Sequence, residues 1–405
     1  MTILASTSIR RSKKTTRNWT PAIFMIAVLA FVVWRMLFLS SEHGFDAAHF
    51  ANAALASLRV GSLYALIALG YTMVYGIIRL INFAHGEVFM IGAFVAYFLF
   101  SATPYPWPLA IFLAILIAYG VMRMLDFFRG SMRDKWVLIG GASCFVIFTI
   151  ALATVQINWI VAMLLSMIIT GVIGILIDRI AYVPLRGAPR NSMLITAIAV
   201  SFFLQNAGIL IFTTNQTPFR PDTVLTNRFS IDFFGGTLSS TYIMLFIPVL
   251  TAVLVIALNA FVNKTRLGKA MRATAQDPEV AEMMGVNVTR VIATTFLLGS
   301  ALAAAAGVMW GLTFGSLNQP SVFGVLPGIK AFAAAVIGGI GSLPGAVIGG
   351  VLLGFLENFL TALFPRVPGF AGITEYRDTF AFAALIIILL IRPSGIIGED
   401  LSEKV

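Results

Sequence analysis

The stretch GSLYALIALGYTMVYG, residues 61–76, decides the fold class of this chain. It lies inside an apolar run, 55–78, in which Arg59 is the only charged side chain. A helix of about 20 mostly apolar residues is long enough to cross the hydrocarbon core of a bilayer. The run therefore predicts a membrane-spanning helix, because it has no charged face to turn toward water.

Runs of this kind recur along the chain. Of its 405 residues, 59% are hydrophobic and 11% are charged, whereas soluble domains carry about 25% charged residues. The candidate spans are 20–40, 55–78, 84–101, 107–125, 136–155, 159–178, 191–214, 241–262, 291–315, 325–342, 343–363 and 376–393. We predict an all-α, polytopic transmembrane helical bundle of about 12 spans, within a range of about 10–12. The range reflects the tight turn after 325–342, which leaves room for one re-entrant segment.

The basic residues indicate which way the chain crosses the membrane. With the N-terminus in the cytoplasm and the spans alternating, twenty Lys and Arg residues fall in inner loops and four in outer loops. Inner loops of membrane proteins carry such an excess, so both termini are predicted to be cytoplasmic. The same distribution accounts for the net charge of +10. The expected surroundings are membrane lipid, and no nucleic acid is expected as a partner.

One inner loop contains an informative local pattern, ATAQDPEVAEMMGVN at 273–287. Asp277 is suited to cap a helix start, because its carboxylate can accept the free amide hydrogens of the first turn. Pro278 suits the first helical position, and Gly285 suits the left-handed position after the last turn. The pattern predicts a two-turn helix over 278–284, which is too short and too polar to cross the membrane.

Such a short helix is marginal alone and needs a surface to pack against. Val280, Met283 and Met284 form an apolar stripe, and Ala281 offers a small contact. Two interpretations fit this spacing equally well. The helix is either a handle for a partner protein or an ordinary helical loop that rests on the bundle.

Several ordered blocks resemble the branched-chain amino acid and sugar permease family of ABC importers, and its LivH type in particular. The blocks are RATAQDP at 272–278 with GVN at 285–287, GSLYALIALGYTMVYG at 61–76, NFAHGE at 82–87, GIKAF at 328–332 and GGIGSLPGA at 338–346. In that family the loop that contains the first block docks into a cleft of the nucleotide-binding subunit. The resemblance assigns this coupling contact to Arg272, Ala275, Asp277, Pro278, Glu279, Ala281, Gly285 and Asn287.

The resemblance also implies a function and a set of partners. The chain would be the inner-membrane permease subunit of a bacterial importer for leucine, isoleucine and valine, with urea or short amides as the alternative substrates. Its partners would be a second permease subunit in a heterodimer, two ATPase subunits and a periplasmic substrate-binding protein. ATP would be bound by those partners and no cofactor by this chain. Gly268-Lys269 is followed by Ala270 and lacks the upstream glycine of a phosphate-binding loop.

The resemblance leaves two regions unmatched. Residues 1–45 are expected to form a basic cytoplasmic segment and an additional anchor helix, since the apolar stretch is long for a signal peptide. Residues 46–400 are expected to form the permease transmembrane domain. This domain would carry an inserted region at about 107–155 and the cytoplasmic coupling loop 263–290.

Polar side chains inside apolar spans are costly and mark a candidate translocation route. They are Asn82, His85, Glu87, Gln205, Asn206 and Lys330. The segment 82–87 is either an inner interfacial turn with its charges in water or a broken helix facing the route. Gln205 and Asn206 are of the kind that more often holds helices together. Lys330 is expected to extend to the membrane interface, and spacing alone does not establish a pair with Glu357.

Glycines crowd the end of the sequence. Gly345 and Gly349, and likewise Gly350 and Gly354, are spaced so that they place small residues on a helix face. Without a Cβ, the backbones of two spans can approach closely. We predict tight packing of two helices, with a pathway or a subunit interface as the alternative.

Two other function classes fit the sequence less well. A transporter that acts alone needs ionisable residues at mid-membrane for ion coupling, and few are present. An intramembrane enzyme needs a clustered acid, base or metal constellation. The chain has neither a His-Glu-x-x-His motif nor paired intramembrane aspartates, and with three histidines no metal site is expected.

Overall fold

The computed structural model describes residues 20–43, 45–100, 158–212, 214–220, 224–233, 236–365, 373 and 376–398. Two expected spans, 107–125 and 136–155, lie outside these residues, as does the basic segment 1–19. The inserted region predicted at about 107–155 therefore lies outside them as well.

The described chain is built mainly from α-helices of very different length. In chain order they are α1 (Thr20–His43), α2 (Ala47–Ile78), α3 (His85–Phe100), α4 (Trp159–Ile177), α5 (Arg190–Ile211), α6 (Tyr242–Lys264), α7 (Arg266–Gln276), α8 (Pro278–Met283), α9 (Val288–Phe314), α10 (Pro320–Phe323), α11 (Val325–Gly338), α12 (Leu343–Leu363) and α13 (Arg377–Ile391). A π-helix, Asp178–Tyr182, follows α4 directly. Short 3-10 helices lie at Val183–Leu185 and Val224–Thr226.

Seven helical stretches of the described residues are long and apolar enough to cross a membrane. They are Ala47–Ile78, Trp159–Leu185, Asn191–Ile211, Tyr242–Lys264, Val288–Phe314, Pro320–Gly338 and Leu343–Leu363. α3 and the part Ala30–Ser41 of α1 are apolar but shorter. The prediction of a helical, membrane-spanning bundle is confirmed by these stretches.

Helix α2 is the central helix of the described bundle, and α12, α9, α11 and α6 pack around it. Every residue from Val60 to Val74 is buried, so each face of this part of α2 meets another helix. A helix that is apolar on all sides is typical of such a position. α9 continues the core on the other side, where it packs against α4 and α3.

Close approach of α2 and α12 depends on small residues. A side chain at Gly350 would collide with the backbone of Ala65, and one at Gly354 would collide with the backbone of Gly61. Gly349 makes the corresponding close contact with α11. The predicted tight packing of glycine-rich helix faces is confirmed.

α5 and α6 lie at the edge of the bundle. Their uncovered side chains are large and apolar, for example Phe203 and Leu210 on α5 and Val249 and Ile256 on α6. An apolar face of this extent requires lipid or another apolar helix as its neighbour. The outer faces of α5 and α6 are therefore available to such neighbours.

Two short antiparallel strand pairs lie near one end of the bundle. β1 (Thr217–Pro218) pairs with β4 (Ser316–Leu317), and β2 (Arg228–Phe233) forms a hairpin with β3 (Gly236–Thr241). α6 leads from β3 to α7. At 1.5 Å per residue its 23 residues separate the hairpin from α7 and α8 by about 35 Å.

Candidate functional site

The short helix α8 has the capping geometry that its sequence predicts. Asp277 Oδ1 accepts hydrogen bonds from the backbone N–H groups of Glu279, at 2.9 Å, and Val280, at 3.1 Å. Pro278 occupies the first helical position. Gly285 has a φ of +86°, a conformation that favours glycine. The helix ends at Met283, one residue earlier than predicted.

The apolar stripe of α8 faces away from the rest of the described chain. Ala281 is buried, and α8 packs against the helices next to it in the chain, α7 and α9. Met283 and Met284 are 78% and 79% exposed, and Val280 is half exposed. A helical loop that rested on the bundle would bury this stripe. The exposed methionines instead favour the interpretation of α8 as a handle, because such a patch is typical of a protein contact.

Other residues assigned to the coupling contact hold the loop in shape. Arg272 on α7 donates from its guanidinium to the backbone carbonyl of Val262 and, at 3.2 Å, to Oδ1 of Asn263 at the end of α6. Asn287 Oδ1 accepts from the N–H of Arg290 at 2.9 Å and so caps α9. We call residues 262–290, which include the end of α6, the helices α7 and α8 and the start of α9, the elbow. Ala275 is partly exposed on α7 and Glu279 is exposed on α8.

The segment 82–87 is buried, which corrects the interpretation as an interfacial turn with its charges in water. Asn82, His85 and Glu87 are all nearly inaccessible. Asn82 Oδ1 accepts from the N–H of Ala84 at 3.1 Å and from the hydroxyl of Tyr182 at 2.7 Å. α3 begins at His85, so its first turn lies inside the bundle among α2, α11 and α5. The alternative, a helix that begins within the protein, agrees with this arrangement.

Glu87 and Gln205 were proposed from separate spans, and the structure brings them together. Glu87 Oε1 accepts from Gln205 Nε2 at 3.0 Å and from Ser201 Oγ at 3.2 Å. Ser201 was not predicted, although its position one turn before Gln205 puts it on the same helix face. Asn206 is not part of this cluster, because it is exposed and donates to the carbonyl of Phe202 at 2.8 Å.

Lys330 lies in a separate buried network, which corrects the expectation that it extends to the membrane interface. Its Nζ lies 2.8 Å from Glu357 Oε1 and 2.7 Å from Asp378 Oδ1. Tyr64 donates its hydroxyl to Glu357 Oε2 at 2.9 Å. The network therefore ties α2, α11, α12 and α13 together. The pair with Glu357, which spacing did not establish, is present.

The sequence of the chain matches a known protein family. The family described as "Branched-chain amino acid transport system / permease component" matches residues 53–389. The chain belongs to this permease family.

The relatives BraD and LivH each cover most of the permease. The high-affinity branched-chain amino acid transport system permease protein BraD of Pseudomonas aeruginosa is 39% identical over 359 residues, which cover 88% of this chain and 98% of BraD. LivH of Escherichia coli is 37% identical over 362 residues, which cover 88% of this chain and 98% of LivH. The fructose import permease protein FrcC of Rhizobium meliloti is 30% identical over 189 residues, 46% of this chain and 50% of FrcC. No solved structure matches the chain.

The permease is an integral protein of the inner membrane, and as a component of a transport system it is not itself an enzyme. Within the described ranges, no group of three or more His, Cys, Asp or Glu side chains is arranged to hold a metal ion.

A chain of polar contacts connects the elbow of the permease to the segment 82–87. Arg186 pairs with the buried Asp178 at 2.8 Å and also reaches Thr289 Oγ1, at the start of α9, at 3.4 Å. Asp178 and Tyr182 are the first and last residues of the π-helix, and the hydroxyl of Tyr182 donates to Asn82. π-helical turns often lie at functional sites. The contacts therefore connect the start of α9 to Asn82 in the segment 82–87.

Proposed function

We propose that the permease is the transmembrane subunit of an ABC importer that carries leucine, isoleucine and valine across the inner membrane. The observation that carries the proposal is α8, a helix capped at its start by Asp277 and exposed along its apolar side. The names of BraD and LivH support the substrate class. Urea or short amides are the alternative substrates.

The driving force comes from partners in this proposal. Two ATPase subunits bind ATP, this chain binds no cofactor, and α8 sits in a cleft of one ATPase subunit. The coupling residues are those of the elbow: Arg272, Ala275, Asp277, Pro278, Glu279, Ala281, Gly285 and Asn287. When the ATPase pair closes, it moves α8 and with it α7 and α9. The bundle then alternates between outward-open and inward-open states by a rigid-body shift.

Two further partners complete the assembly. A periplasmic binding protein delivers substrate at the hairpin end, about 35 Å from α8. A second permease subunit packs as a heterodimer with pseudo-twofold symmetry. The exposed apolar faces of α5 and α6 supply surfaces for that subunit or for lipid.

The same proposal covers the topology and the route. The chain crosses the membrane about 12 times with both termini in the cytoplasm. Residues 1–45 add a basic segment and an anchor helix, and about 107–155 is an insertion into the permease domain 46–400. The residues proposed for the route are Asn82, His85, Glu87 and Gln205, which lie inside the bundle or at its inner face. Asn206 and Lys330 are no longer proposed for it, because their side chains are engaged elsewhere.

The test is a double variant, Asp277→Ala with Gly285→Val, in the complete transporter in proteoliposomes. Loss of the cap costs about 0.5–2 kcal/mol, and valine in the left-handed region costs about 1–2 kcal/mol. α8 should therefore unravel, and ATP-driven leucine uptake should fall at least about tenfold. Membrane insertion should be unchanged, because neither residue lies in a span.

The matched control is Asn158→Ala with Gly187→Val. Asn158 caps α4 by accepting from the N–H of Ile160, and a side chain at Gly187 meets open space. This control should transport as the unchanged protein does. Wild-type uptake by the Asp277/Gly285 variant, or uptake in liposomes without any ATPase subunit, would contradict the proposed function. ATP-driven accumulation of urea and not of leucine would select the alternative substrate.

A further inference from the structure

Three carboxylate side chains are buried in the described part of the chain: Glu87, Asp178 and Glu357. Asp178 pairs with Arg186 and Glu357 pairs with Lys330, each at 2.8 Å. Glu87 is 2% exposed and has no Lys, Arg or His within ion-pair distance among the described residues. A buried carboxylate without a cation is costly, and in membrane proteins it marks a functional position.

The two oxygens of Glu87 have different surroundings. Oε1 accepts from Ser201 and Gln205, whereas Oε2 is buried with no hydrogen-bond partner. Oε2 lies against Gly324, the residue before α11, where an added Cβ would come within 2.5 Å of it. One oxygen is thus held in place and the other is free to accept a donor.

This oxygen lies between the bundle core and a helix at the edge of the bundle. On the core side, Phe323, which directly precedes Gly324, stacks on Phe89 of α3 at a centroid distance of 5.1 Å. Ser201 and Gln205 come from α5, whose neighbouring side chains Phe202 and Phe203 are exposed. The cluster therefore joins the bundle core to a helix at its edge, which the rest of the described chain leaves largely uncovered.

We propose that Glu87 is the residue that binds the ammonium group of the transported amino acid, through its free Oε2. The proposal rests on the proposed function, since it requires an amino-acid substrate. An ammonium group has three donors and a positive charge, and its hydrogen bond to a carboxylate is charge-assisted. Gln205 and Ser201 position the carboxylate through their hydrogen bonds to Oε1.

The first test measures leucine binding and transport with Glu87→Gln in the complete transporter. The amide keeps the shape of the side chain but not the charge, so affinity of the detergent-solubilised complex for radiolabelled leucine should fall at least about tenfold. The keto acid of leucine, which lacks the amino group, should not bind the unchanged complex. Measured without the binding protein, Asp232→Asn, an exposed acid on the hairpin, is the matched control and should bind leucine normally. Ser201→Ala removes one of the two hydrogen bonds to Glu87 Oε1, and Thr196→Ala on the same helix is its control.

The second test needs no variant and covers the case in which Glu87→Gln does not assemble. Dicyclohexylcarbodiimide, which modifies carboxyl groups inside membranes, is applied to the unchanged transporter, and labelled residues are identified by mass spectrometry. Leucine should slow modification of Glu87 and leave that of Glu357 unchanged, because Lys330 already occupies Glu357. Equal modification of Glu87 with and without leucine would overturn the proposal.

The outcomes separate this proposal from the proposed function. If the unchanged transporter accumulates leucine and the Glu87→Gln transporter binds and transports it equally well, the assignment of Glu87 is overturned and the importer function stands. If the unchanged transporter does not accumulate leucine with ATP, both are overturned.

Discussion

Lys330 illustrates how the environment of one residue determines its effect on the fold. It is a charged side chain on a helix between other helices, and its amine lies within 3 Å of two carboxylates, Glu357 and Asp378. Removing one member of a buried ion pair is more harmful than replacing both, because the remaining charge is left without a partner. The same rule explains why Asp178 is accompanied by Arg186.

The residue-scale prediction is that Lys330→Met destabilises the permease by about 3–5 kcal/mol. The double variant Lys330→Met with Glu357→Gln should recover a large part of this loss, since neither charge is then buried alone. The measurement is the thermal unfolding of purified protein in detergent. Equal stability of the single and the double variant would show that the pair is not the source of the effect.

At the scale of elements, the stability of α8 depends on its caps and, under the proposed function, on a partner that covers its exposed side. A helix of six residues is too short to be stable alone. Its exposed methionines are the part that a partner would cover, and buried apolar anchors of this kind dominate many interfaces. The caps thus shape the helix, and the stripe supplies the contact.

The corresponding prediction concerns Met283→Ser with Met284→Ser. Binding of the ATPase subunits should weaken at least about tenfold, because each lost anchor is worth more than 1 kcal/mol. The stability of the isolated permease should not change, since both side chains are exposed. Co-purification of tagged ATPase measures the effect. Ile231→Ser, an exposed apolar residue on the hairpin, serves as the control and should bind the ATPase normally.

A second element-scale prediction concerns the path from the elbow to the segment 82–87. Tyr182→Phe removes the hydrogen bond to Asn82 and nothing else from the side chain. The loss of about 0.5–1.5 kcal/mol should lower the amount of leucine transported per ATP hydrolysed, with little loss of ATPase activity. Tyr242→Phe, on a half-exposed tyrosine of α6, is the control. An unchanged ratio would exclude a coupling role for this bond.

At the scale of the whole molecule, the long helices separate two ends with different chemistry. The β2–β3 hairpin occupies one end, and the elbow with its basic and acidic side chains occupies the other. α6 connects them directly, so they must lie on opposite sides of a bilayer if α6 spans it. In the orientation predicted from the basic residues, the hairpin lies in the periplasm and the elbow in the cytoplasm.

Cysteine labelling checks that orientation. Cys144 is the only native cysteine, and it is first changed to serine. A membrane-impermeant maleimide should then label Ser239→Cys in intact cells and Glu282→Cys only in inverted vesicles, because both positions are exposed at their ends of the bundle. Labelling of Glu282→Cys from outside would reverse the topology.

The sequence by itself determined the features that depend on neighbours a few residues away. Among the described residues, the seven helical stretches that are long and apolar enough to cross a membrane follow from apolar runs. The caps of α8 follow from Asp277, Pro278 and Gly285, since a cap acts on N–H groups two or three residues along the chain. The resemblance to the permease family followed from ordered sequence blocks such as 61–76 and 272–278. The end of α8 was predicted at Met284 and lies at Met283.

Only the tertiary structure decided which polar groups meet. Gln205 lies 118 positions from Glu87, and Asp378 lies 48 positions from Lys330. Such pairs depend on how whole helices are rotated and shifted against one another, which the periodicity of a single helix does not specify. For that reason Glu87 and Gln205 were predicted from the sequence as separate residues and Ser201 was not predicted. The packing of α3 against α5 brings the three side chains together.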